Sequence, residues 1–134
     1  MQHTLEVRHV SVSIERSPDD VYRHASNMAN WPAWASGLGK SIRKVGSEWI
    51  AEGPLGEVKV RLAEPNAFRV LDHEVTLPSG VTIQNPLRVV PNGAGSEVVF
   101  SVFRQPGTPE HDFRDDTKAV ERDLRALKQI LEGH

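Results

Sequence analysis

The chain has 134 residues, 38% hydrophobic and 25% charged, a composition that fits one ordinary folded domain and not a disordered or fibrous chain. A formal charge of −2, with no dense Lys/Arg stripe, excludes the electrostatic footprint of a nucleic-acid binder. The lack of cysteine excludes a disulfide framework, a thiolate zinc site and a cysteine nucleophile.

Met1 to Val10 carries charges and no apolar h-region, and no run approaches the ~18 apolar residues of a membrane span. The expectation is a cytoplasmic protein forming a single domain over residues 1–134.

The first segment, Thr4 to Ile14, reads as a strand from the alternation of Val10, Ser11, Val12, Ser13 and Ile14. Its phase slips between Val7 and Val10, which predicts a bulge. Ser17-Pro18-Asp19-Asp20 then supplies an N-cap, a proline at the first helical position and acids for the helix dipole. A short helix is predicted from Pro18 to about Asn27, burying Val21 and Ala25. A second is predicted around Asn30-Trp31-Pro32-Ala33-Trp34, capped near Asn30 and closed by Gly37 and Gly39.

From Ser41 to Gln105 short alternating runs are separated by turn chemistry, as at Gly53-Pro54-Leu55-Gly56, Pro78-Ser79-Gly80 and Pro91-Asn92-Gly93. The spacing predicts about six further strands joined as hairpins. Val58, Val60 and Leu62 share one face of their strand; Leu71, His73, Val75 and Leu77 share one face of the next; Val81, Ile83, Asn85, Leu87 and Val89 share one face of a third. Thr108-Pro109-Glu110 opens a long last helix. Its stripe of Phe113, Thr117, Val120, Leu124, Leu127 and Leu131 needs a sheet to bury it, opposite charged Glu121, Arg122, Arg125 and Lys128.

A strand, two short helices, a meander and one long C-terminal helix is the element order of the helix-grip fold. The whole chain resembles the START/SRPBCC superfamily, which includes the polyketide cyclase/dehydrase-like proteins. Local matches are Ser17-Pro18-Asp19-Asp20-Val21-Tyr22, Trp31-Pro32-Ala33-Trp34 and Val120-Glu121-Arg122-Asp123-Leu124-Arg125-Ala126-Leu127-Lys128. The resemblance implies an α+β fold, about seven strands curved around the last helix, with a cavity between sheet and helix. Such cavities typically accept a lipid, polyketide or aromatic compound.

His73 is the sharpest candidate, because its alternation with Leu71 and Val75 aims an imidazole into an apolar interior. There it can hold a ligand, move a proton, or simply be a core histidine with a backbone partner. Asn85 shares that wall, although Asn85-Pro86 equally marks a bulge. Trp31, Trp34 and Trp49 offer flat surfaces for stacking or plain packing. The candidate ligand-binding set is Trp34, Trp49, Val60, Leu71, His73, Ile83, Asn85 and Leu124, with no metal and no cofactor expected. Asp112, Asp115 and Asp116 lie in the first turns of the last helix, where the dipole explains them. Glu57 reads as solvated, and Gly93-Ala94-Gly95 reads as a hairpin tip and not a dinucleotide loop.

Three functions follow: binding of a small hydrophobic molecule, a cyclase, dehydratase or isomerase using His73 as general acid/base, or a co-chaperone-like protein-interaction module. The expected assembly is a monomer or homodimer, with no nucleic acid partner.

Overall fold

The computed structural model describes residues 3–39, 41–54 and 56–133. Strand β1 (Val7–Ile14) leads to helix α1 (Pro18–Ala25) and a 3-10 helix (Met28–Ala33). Seven strands follow: β2 (Ser41–Val45), β3 (Glu48–Gly53), β4 (Gly56–Leu62), β5 (His73–Thr76), β6 (Thr82–Asn85), β7 (Leu87–Asn92) and β8 (Gly95–Phe103). Helix α2 (Glu110–Glu132) closes the chain. Leu55, assigned from sequence to the β3–β4 turn, lies outside the described residues.

All pairings are antiparallel, in two sheets ordered β1-β8-β7 and β2-β3-β4-β5-β6. Eight strands stand where about seven were expected, because Pro86 splits the run from Val81 to Val89. Proline has no amide hydrogen for a ladder, so the chain leaves β5 after Asn85 and rejoins β8 at Leu87. The Asp72 carboxylate accepts the Leu87 amide at 2.9 Å and the Arg88 guanidinium at 3.1 Å. A single bridge from Val70 to Arg88, with Leu71 donating to the Leu87 carbonyl at 2.7 Å, links the two sheets at this corner.

Several local expectations need correction. β1 carries no bulge, since its register to β8 runs unbroken from Val7–Phe103 to Ile14–Ser96. Val7 faces solvent, and the inward position is taken by Arg8, whose guanidinium lies 4.8 Å from the Phe113 ring centroid. The charge at that position disguised a regular alternation as a slip.

α1 ends at Ala25, two residues before the expected Asn27, and does bury Val21 and Ala25. The 3-10 helix is capped by Asn27, which accepts the Ala29 amide at 3.1 Å, and not near Asn30. Thr108 makes no side-chain cap; Pro109 holds the N-cap position of α2, and Gly133 ends that helix in the left-handed region at φ 77°. Val81, assigned inward, is 51% exposed at the β5–β6 hairpin tip.

Helix α2 lays Phe113, Thr117, Leu124, Leu127 and Leu131 onto the concave side of the sheets. Burying one such Leu or Phe contributes roughly 1.5–3 kcal/mol, so the stripe outweighs the propensity of the helix as the reason it docks. Lys128 spans the seam, donating to the Ser13 carbonyl at 2.7 Å.

Candidate functional site

The interior is filled at one end and hollow at the other. Between the middle of α2, the 3-10 helix and the inner faces of β5, β6 and β8 lies a cavity of about 230 Å³. Larger hollows beside the β7–β8 turn and before α2, of about 380 and 470 Å³, are lined by loop and strand-end residues and hold no buried aromatic wall.

Each wall has a local origin. Trp31 on the 3-10 helix and Trp34 at its C-cap, three residues apart, share a face, and their ring centroids are 5.1 Å apart. The Trp31 indole N–H donates to the Ala25 carbonyl at 2.7 Å, which ties the 3-10 helix to the end of α1. The Trp34 indole N–H is buried without a partner among the described residues, and the side chain carrying it lines the cavity. An unpaired buried donor costs about 1–3 kcal/mol, so it stands ready for an acceptor.

On the opposite wall, β5 and β6 pair His73 directly with Asn85, and both line the cavity. The His73 ring stands edge-on to Trp31, with centroids 4.8 Å apart, and approaches Phe100 at 5.8 Å. Its Nδ1 donates to the Leu71 carbonyl at 3.0 Å, which leaves Nε2 as the acceptor of a neutral ring. Burial pushes the imidazole down to about 4, although the Leu71 hydrogen bond and the charge of Asp72 pull the other way. At neutral pH His73 is an uncharged acceptor.

The third wall is α2, where Asp116, Val120, Asp123 and Leu124 lie on one face by four- and three-residue steps. The Asp123 carboxylate accepts the Ser36 hydroxyl at 2.8 Å. Burial raises its pKa above the ordinary aspartate range, against the hydrogen bonds from Ser36 and Gly37 and the nearby charge of Arg122. Asp116 is also raised, first by burial and then by the like charges of Asp112 and Asp115. No grouping of His, Asp and Glu that could hold a metal ion occurs among the described residues.

Of the residues selected from sequence, Trp34, His73, Ile83, Asn85 and Leu124 come together around this cavity. Trp49, Val60 and Leu71 do not line it. Trp49 is half-buried opposite Val60 on β3 and β4, while Val60 and Leu71 are fully buried core. Sequence reasoning missed Phe100, Asp116 and Asp123 as wall residues. The signal for the two aspartates was present, since they flank Val120 at helical steps of four and three. Tyr22 is half-buried, its hydroxyl accepting the Asn66 amide at 3.0 Å, and Glu57 is exposed beside Arg43.

Residues 7–132 match the family described as polyketide cyclase / dehydrase and lipid transport. No curated protein sequence matches the chain. Among solved structures, the protein XoxI from Bacillus cereus superposes with a TM-score of 0.76 at 18% identity, covering 96% of each chain. The Zhui aromatase/cyclase from a Streptomyces species gives 0.70 at 17% identity, over 95% of this chain and 94% of that one. The Aha1 dimer from Colwellia psychrerythraea gives 0.72 at 16% identity, over 96% and 97%. At these identities the likeness concerns the fold. No helix among the described residues is long and apolar enough to cross a membrane.

Proposed function

The chain belongs to the polyketide cyclase/dehydrase and lipid transport family, and from that premise we propose that it binds a small, ring-bearing apolar molecule in the cavity between sheet and α2. The observation that carries this reading is the wall itself: Trp31, Trp34 and Phe100 surround a buried neutral His73 whose Nε2 has an acceptor to offer. Aromatic walls with a few convergent polar groups are the usual make-up of a small-molecule site. At about 230 Å³ the cavity falls below the ~300–1,000 Å³ of drug-sized pockets, so the ligand is compact.

Binding is favoured over catalysis by the state of His73. A base whose pKa is about 4 is unprotonated at neutral pH but has little driving force to take a proton, and efficient general bases titrate near the working pH. His73 therefore reads as a group that receives a hydrogen bond from a ligand hydroxyl or amine.

Native mass spectrometry of the purified protein, followed by organic extraction, is the test. The expected result is a stoichiometric apolar passenger, or a rise in melting temperature with a panel of small aromatics. Ligand at a hundredfold its Kd adds about 2.7 kcal/mol of stability. His73→Ala is expected to weaken binding. An empty protein that no member of the panel stabilises would refute the reading.

A further inference from the structure

The cavity is one-sided in charge. Among the described residues its wall contains Asp116 and Asp123 and no lysine or arginine. Neither aspartate has an ion-pair partner among the described residues. Arg122 acts on Asp123 from an exposed position outside the wall. Asp112 and Asp115, one turn away or adjacent on α2, add charge of the same sign at Asp116.

The uncharged part of the wall leans the same way. Indole faces carry the negative side of their quadrupole, and Trp31 and Trp34 both line the site. His73 contributes an acceptor. The Gln105 amide gives one of its two hydrogens to the Phe103 carbonyl at 3.2 Å and keeps the other, so the neutral side-chain donors are Gln105, the Asn85 amide and the Trp34 N–H.

A ligand carboxylate entering here would lose its water and meet two charges of its own sign with no cation among the described wall residues to answer it. A neutral alcohol or phenol can donate to His73 or to a carboxylate. A protonated amine gains from the carboxylates and from the indole faces. Resting on the binding reading above, we infer that the cavity sorts apolar ligands by charge, accepting neutral and protonated-amine molecules and refusing carboxylates such as fatty acids. Both aspartates are held above their ordinary range, Asp123 by burial and the solvent-exposed Asp116 by partial burial and the like charges of Asp112 and Asp115, and a bound cation would relieve both.

Three probes with one aromatic body separate the possibilities: naphthylmethylamine, naphthalenemethanol and naphthoic acid, titrated calorimetrically into the full chain at neutral pH. The expected result is that the amine and the alcohol bind while the acid binds at least about tenfold more weakly than the alcohol, or ~1.4 kcal/mol. In the double variant Asp116→Asn, Asp123→Asn that gap closes to within about threefold, or ~0.65 kcal/mol. Should the double variant fail to fold, Asp116→Asn at the exposed position still narrows the gap measurably. Equal binding of acid and alcohol by the unaltered protein overturns the inference, and so does a gap that neither variant changes. If none of the three binds, the binding reading itself falls, and charge sorting falls with it.

Discussion

Helix α2 covers two different interiors. Toward its C-terminus, Leu127 and Leu131 press onto a solid layer that includes Val10, Ile14, Val21, Leu87 and Val89, all buried. One to two turns earlier, Val120 and Leu124 look into the cavity, with aspartates on either side of Val120. The filled half is built of Leu, Ile and Val, and the hollow half concentrates His73, Asn85, Asp116, Asp123 and four aromatic side chains, Trp31, Trp34, Phe100 and Phe103. Packing density is spent where the fold must be held, and polar chemistry collects where atoms are left out.

The contrast breaks most readily in the filled half. Leu127 has no exposed surface, and Leu127→Ala is expected to destabilise by about 2–5 kcal/mol, since the close-packed layer cannot collapse onto the void. Val120→Ala removes a half-buried side chain that already borders empty space, and is expected to cost about 1 kcal/mol. Urea denaturation of both variants decides the matter. Equal losses would mean that the cavity is as tightly packed as the core.

His73 gives the hollow half an acid sensitivity, while on α1 burial also lowers the value of His24. The His73 value falls from the ordinary 6.5 to about 4 in the folded chain, so the unfolded chain takes up the proton first as pH drops. The contribution is whole above pH 6.5 and is lost progressively as the pH falls to 4, roughly 3 kcal/mol in all. Asp116 and Asp123 act in the opposite sense, because protonation relieves their burial in the folded state and so favours it as pH falls through their raised values. His73→Gln is expected to remove most of the slope of stability between pH 6.5 and 4, measured by urea denaturation across that range. An unchanged slope would mean that the imidazole protonates inside the fold.

The two halves also differed in how far the sequence revealed them. The filled half was legible because apolar periodicity is its only requirement: Val21, Ala25, Leu127 and Leu131 all stand inward where their spacing put them. The inward turn of His73, beside Leu71 and Val75, was legible by the same alternation. The cavity boundary was not, because a wall residue and a core residue have the same period. Trp49, Val60 and Leu71 satisfy the pattern as well as Ile83 does, yet only Ile83 reaches empty space. Asp116 was absorbed by a sufficient dipole explanation, and Asp123 stood only within the Val120 to Lys128 match, with no face assigned to it. Pro86, read as a bulge or part of a strand, is the point where the chain changes sheets, a tertiary fact that its missing amide permits without specifying.

The smallest effect offers the cleanest comparison, because it sets two chemically identical side chains against each other. Trp31 and Trp34 are 2% and 3% exposed and stand on and at the C-cap of one short helix, but among the described residues only the Trp31 N–H has a partner. Replacing either by Phe removes the same atoms and the same indole area, so the lost packing is similar in the two variants. Trp31→Phe also strands the Ala25 carbonyl that accepted at 2.7 Å, whereas Trp34→Phe removes a buried donor that had nothing to lose. The asymmetry between a broken hydrogen bond and a relieved desolvation penalty amounts to about 1–3 kcal/mol. Trp31→Phe is therefore expected to unfold at lower urea concentration than Trp34→Phe by that margin, with the cavity empty. Ligand saturation reverses part of the advantage if the Trp34 N–H donates to the bound molecule, since Trp34→Phe then loses a bond that the unaltered protein gains. Equal stabilities in the empty state would show that the Trp34 donor already has a partner, and would take from the hollow half its readiest contact for a ligand acceptor.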